Sequence, residues 1–119
     1  VSEAPLPPDD GSLWARLGRS AAALAPTMTS QHLANVSWAH GALRATSQVW
    51  FTAVSEQVQA GGLRRWEPRH VANVLWAFAR VGMRSTRMLQ KVGDELSEEE
   101  GTALTAYAGR DLAAVLWAF

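Results

Sequence analysis

No cysteine occurs in the 119 residues, so disulfide staples and thiolate metal sites are both excluded. No apolar run approaches the roughly 18 residues a membrane-spanning helix requires, which predicts a soluble or peripheral chain without a span. Net charge is missing too, since 11 basic residues balance 11 acidic ones. The opening stretch VSEAPLPPDDG has no methionine and mixes acids with prolines, which suits neither a secretory nor a transit peptide. Any targeting address is therefore expected to have been removed already, or the chain to be a fragment. What remains has a globular balance, with 48% hydrophobic and 18% charged residues, enough for about one small domain with a modest core.

Motifs for catalysis are also lacking. The histidines are His32, His40 and His70; none stands in HExxH, and no cysteine is present to complete a metal site. No G-x-S-x-G elbow or phosphate-cradling glycine loop occurs, and Gly61-Gly62 reads as a helix stop. Glu98-Glu99-Glu100 crowds like charges without a base or nucleophile nearby, as a solvated loop does. The expectation is no enzyme, no catalytic residues, no metal, no cofactor and no small-molecule substrate.

The neutral total conceals a sorting of charge. From Arg64 to Lys91 there are seven basic residues against Glu67 alone. From Val92 onward six acids face only Arg110. A basic middle permits an anionic partner, and an acidic end would repel one.

One phrase is written three times: HLANVSWAH at 32–40, HVANVLWAF at 70–78 and DLAAVLWAF at 111–119. Its tryptophans, Trp38, Trp76 and Trp117, are 38 and 41 residues apart, the extra length fitting an insertion around 97–101. A shift of 38 also places Ser47 on Ser85, Trp50 on Met88, Phe51 on Leu89, Val54 on Val92 and Val58 on Leu96. Upstream, Leu13, Trp14, Leu17 and Ala21 repeat the spacing of Trp50, Phe51, Val54 and Val58, with Asp10 in the place of Ser47. Two segment types thus alternate, B, A, B, A, B, A.

Both segments carry the helical period. In A, Val71, Val74, Leu75 and Phe78 fall at i, i+3, i+4, i+7, with Ala72, Trp76 and Ala79 widening the arc. In B, Met88, Leu89, Val92 and Leu96 form a narrower stripe, and Ser47, Ser85 and Asp10 are N-cap candidates. Pro68 suits a first helical turn, and Met28, Trp66 and Tyr107 precede the three A helices where a staple residue belongs. Each hairpin can bury its faces only against its neighbours. The pattern therefore predicts an all-α fold, an α-solenoid of repeated antiparallel helix pairs of about 38 residues. Residues 1–9 read as an extended proline-rich segment and 10–119 as the helical-repeat domain. Within it, 10–25 is helix B of a partial repeat, 28–62 repeat 1, 66–97 repeat 2, and 106–119 the first helix of repeat 3. Trp38, Trp76 and Trp117 each follow an alanine four residues back, Ala34, Ala72 and Ala113, and are expected to be core residues that pack repeat on repeat. Base-stacking platforms are the alternative for the same rings.

The 38-residue spacing and the phrases Leu33-Ala34-Asn35-Val36-Ser37-Trp38-Ala39 and Val71-Ala72-Asn73-Val74-Leu75-Trp76-Ala77 resemble the octotricopeptide repeat proteins of algal and protist organelles. The resemblance runs from about Thr27 to Phe119. It implies a mitochondrial or chloroplast helical-repeat protein that binds RNA in transcript maturation, stability or translation, or one that sits in an organellar ribosome. Asp111 and Ala114 depart from the His and Asn of the other copies.

On that resemblance RNA, single-stranded or ribosomal, is the expected partner. The candidate surface is the side of the A helix away from its apolar arc, with Arg69, Asn73, Ala77, Arg80 and Arg84 in one repeat and Gln31, Asn35 and Ala39 in another. Asn and Gln pair with base edges, Arg with phosphates or base planes, and small residues let a strand approach. A merely solvated strip is the plainer alternative for the arginines. The second functional class is a structural subunit of a larger organellar assembly, with a protein partner at the apolar edge Leu116-Trp117-Ala118-Phe119.

Overall fold

The computed structural model describes residues 13–97 and 109–119. The proline-rich 1–9 segment, Asp10, the 98–100 acidic run and Tyr107 lie outside them. Six α-helices are described, with no β-strand among the described residues: α1 Leu13–Leu24, α2 Ser30–Leu43, α3 Gln48–Gly61, α4 Pro68–Val81, α5 Thr86–Ser97 and α6 Gly109–Ala118, plus one 3-10 turn at Ala25–Thr27.

Local chemistry sets most helix ends. The Ser47 and Ser85 hydroxyls accept from the amides of Trp50 and Met88, so each satisfies a free donor at the start of its helix. α2 starts with a reciprocal cap in which His32 N–H donates to Thr29 Oγ1 and Thr29 N–H donates to His32 Nδ1. His32 thus does the work of the usual Glu or Gln. α4 starts at Pro68, whose missing N–H would have had no helical partner there. α2 and α4 end alike, on a residue in left-handed conformation, Arg44 at φ 52° and Gly82 at φ 78°. The next amide then bonds back across the last turn, Ala45 to His40 and Met83 to Phe78. Gly62, at φ 67°, closes α3.

Contacts join alternate helices. α2 packs on α4 and α4 on α6; α1 packs on α3 and α3 on α5. The core lies where the two sets meet and holds Leu33, Ala34, Trp50, Phe51, Val54, Val58, Val71, Val74, Leu75, Phe78, Met88, Leu89 and Val92. Met28 and Trp66 are half-buried against it. The burial of Val71, Val74, Leu75 and Phe78 agrees with the i, i+3, i+4, i+7 period of the A segment.

A polar knot closes the core at the junction of α1, α2 and α3. The buried His40 ring lies parallel to Trp50 with centroids 5.8 Å apart, and meets Trp14 and Phe51 edge-on at 5.1 and 5.7 Å. Its Nδ1 donates to the carbonyl of Val36 at 2.8 Å, and Trp50 Nε1 donates to the buried Ser37 hydroxyl at 3.2 Å. Burial holds the imidazole below its usual pKa, against the opposing pull of the Val36 carbonyl. His70 is the counterpart tie between α2 and α4, its Nδ1 3.0 Å from Ser30 Oγ. Burial lowers its pKa too, while Glu67 works the other way.

Candidate functional site

Two of the three tryptophans are not core, while Trp76 packs against the core's edge. Trp38 is 51% and Trp117 59% exposed, and Trp76 is half-buried. At about 100° per residue, His70, Val71, Ala72, Val74, Leu75, Ala77, Phe78 and Val81 already take up the buried side of α4. Position 76 falls at the rim of that side, so Trp76 packs against the core's edge, and the expectation of a core tryptophan is corrected for Trp38 and Trp117. Of the alanines four residues back, Ala34 and Ala72 are buried as packing residues, whereas Ala113 is exposed.

That rim is also where the polar candidates are found. Arg69, Asn73, Trp76 and Arg80 sit at i, i+4, i+7 and i+11 of α4, within an arc of about 60°. Gln31, Asn35, Trp38 and Ala42 hold the same positions on α2 and are all exposed. Arg110, Ala114 and Trp117 repeat the row on α6. Because α2 packs on α4, the rows are neighbours, and the Trp38 and Trp76 rings stack with centroids 6.3 Å apart and planes 24° from parallel.

Gly41 is the reason the rows come so close. A Cβ there would stand 3.0 Å from Cα of Ala77 and 2.8 Å from Cζ3 of Trp76. Ala77 is therefore a buried contact of α2 on α4, and not open floor for a strand. Arg84 leaves the strip as well. α4 ends at Val81, the chain reverses at Gly82, and Arg84 lies in the following loop, where it lines an open groove of about 590 Å³ between α3 and α5. Arg69 is exposed, and its guanidinium Nε donates to Glu67 Oε2 at 3.0 Å; Arg80 and Asn73 are half-buried. Ala39 is half-buried beside the row.

The assembled face carries flat aromatic surface, side-chain amides and guanidinium groups in register on adjacent helices. Such a face can stack bases, pair with their edges and hold phosphates. Among the described residues no group of three or more His, Asp or Glu side chains is placed to hold a metal, and no helix is long and apolar enough to cross a membrane. That tryptophan and asparagine share this face is signalled in the sequence by the i, i+3 spacing of Asn35 to Trp38 and Asn73 to Trp76, which the apolar character of the indole masks. No family model matches the chain, and no curated protein or solved structure matches it.

Proposed function

We propose that the chain is an α-solenoid of antiparallel helix pairs, of octotricopeptide type, which binds single-stranded RNA along the outer face of α2, α4 and α6. Three features support the repeat. α2 and α4 begin at Ser30 and Pro68 and end at Leu43 and Val81, both pairs offset by the same 38 residues as the tryptophans. α3 and α5 begin at Gln48 and Thr86, with the same offset. Helices contact their second neighbours along the chain, as stacked hairpins do.

The observation that carries the RNA reading is the exposed Trp38–Trp76 stack beside Asn35, Asn73, Arg69 and Arg80. Large aromatic surface left in water is unfavourable, and its recurrence beside amides and arginines suits a ligand with π-faces and negative charge. A mitochondrial or chloroplast setting rests on the family resemblance, and so does ribosomal RNA as the substrate. A structural-subunit role is favoured by a different observation, the exposed Trp117 and Phe119 at the end of α6.

The test is binding of fluorescein-labelled single-stranded RNA across a salt series. Both Trp38→Ala and Trp76→Ala should weaken binding, by about tenfold or more each if each ring stacks one base. Arg69→Glu with Arg80→Glu should weaken it and flatten the salt dependence. Affinity that is the same in wild type and in all these variants refutes the proposal.

A further inference from the structure

The rows on α2 and α4 match at an offset of 38 except at two places. Asn35 and Trp38 are answered by Asn73 and Trp76, whereas Gln31 gives way to Arg69 and Ala42 to Arg80. Ala42 has no polar group to offer a ligand, and Arg80 is half-buried at the far end of α4. The chemical difference that a ligand can read between the two repeats therefore falls on Gln31 and Arg69. Both are exposed, on the same side of their helices as the asparagine and the tryptophan.

The two side chains differ in kind. A glutamine amide offers donors and an acceptor, whereas a guanidinium offers donors alone. Arg69 is also held in place. Its Nε donates to Glu67 Oε2 at 3.0 Å, which leaves the two Nη groups for a ligand. Glu67 stands at the N-cap of α4 and makes no cap hydrogen bond there, so its carboxylate serves Arg69 and not the helix start. That carboxylate cancels the charge of Arg69 and repels a phosphate. A neutral base edge with two acceptors suits the pair better.

We propose that Gln31 and Arg69 set the base each repeat takes, adenine beside α2 and guanine beside α4, so that the ligand is a single strand carrying the two purines side by side. The inference rests on the RNA reading. Adenine presents its N6 amino donor next to the N7 acceptor, which a glutamine amide meets with one bond of each kind. Guanine presents two acceptors, O6 and N7, which match two guanidinium donors, whereas the adenine amino group would meet Arg69 donor against donor. These edges are open in a single strand. Adjacent bases suit the packing of α2 on α4, where the Trp38 and Trp76 rings are 6.3 Å apart. Glu67 is a positioning residue, because its hold on Nε fixes the plane of the fork.

Fluorescence anisotropy with labelled oligouridines carrying a central A-G, G-A, A-A, G-G or C-C pair tests this. Both mixed orders are included because strand direction decides which one fits. Wild type should bind one mixed order about tenfold or more tighter than C-C, with A-A and G-G between. Gln31→Arg should move the preference to G-G and Arg69→Gln to A-A, an exchange that a role in stability alone does not produce. Glu67→Gln should bind all five RNAs more tightly and distinguish G from A less. The three side chains are exposed, so the fold is kept, and far-UV circular dichroism checks this. Equal affinity of wild type for all five RNAs, a preference that both exchanges leave in place, or an Arg69→Gln protein weakened by one factor on every RNA would each overturn the base assignment while RNA binding stands. No binding to any of the five sinks the RNA reading and the base assignment with it.

Discussion

Gly41→Ala should destabilise the protein even though alanine is the better helix former. In an unhindered helix interior the exchange gains about 0.5–1 kcal/mol. At Gly41 the new methyl would stand 2.8 Å from Cζ3 of Trp76, 3.0 Å from Cα of Ala77 and 3.2 Å from its Cβ. The half-buried indole can swing aside, but the Ala77 backbone cannot, so α2 and α4 must move apart where they pack most closely. Overpacking of this kind typically costs about 1–3 kcal/mol, which set against the propensity gain leaves a net loss centred on about 1 kcal/mol. In a chain of this size such a loss lowers Tm by roughly 5 °C. Gly61→Ala is the internal control. Gly61 ends α3, nothing lies within 4 Å of its added carbon, and its φ is outside the left-handed region, so the same exchange should be neutral or stabilising. Urea unfolding followed by circular dichroism measures both. A Gly41→Ala protein as stable as wild type, or the two variants shifting equally, would refute the close-approach account.

Trp50→Phe keeps the ring in the core but removes the donor to the buried Ser37 hydroxyl, with an expected loss of about 1–3 kcal/mol. Combining it with Ser37→Ala should recover part of that loss in a double-mutant cycle. Because burial depresses the His40 pKa, the unfolded chain takes up that proton first as pH falls. The stabilising contribution of the neutral ring is therefore complete above the ordinary value of 6.5 and is lost progressively below it. Urea midpoints at about pH 7.5 and about pH 5.5, with the NMR titration of the His40 ring, check this sign. Glu95→Ala removes the carboxylate that accepts the Leu63 amide at 2.9 and 3.2 Å and so ties α5 to the turn after α3. A loss of about 1–2 kcal/mol is expected for this half-buried charged bond, and less for Glu95→Gln, which keeps an acceptor; thermal melts distinguish them.

How much of this was legible in the sequence depends on the kind of contact. The helices were, because a period and a cap are both local: Val71, Val74, Leu75 and Phe78 mark one buried face, and Ser47 and Ser85 stand where their oxygens reach the third amide on. Close approach between helices was not. Nothing beside Gly41 in the chain indicates that Ala77 sits against it, and the His40 cluster gathers Trp14, Trp50 and Phe51 from two other helices. The tryptophans fell between the two cases. Their angular position was computable, but hydrophobicity pulled them toward the core. Trp50 shows the difference: its ring is fully buried and its indole N–H has the Ser37 hydroxyl, whereas Trp38 lies on a helix whose buried side is already filled by Leu33, Ala34, Ser37, His40 and Gly41. Packing explains the buried alanines and the half-buried Trp76, which lies between α2 and α4 and stacks on Trp38, and it leaves the exposed faces of Trp38 and Trp117 as the place where the proposed RNA contact is tested.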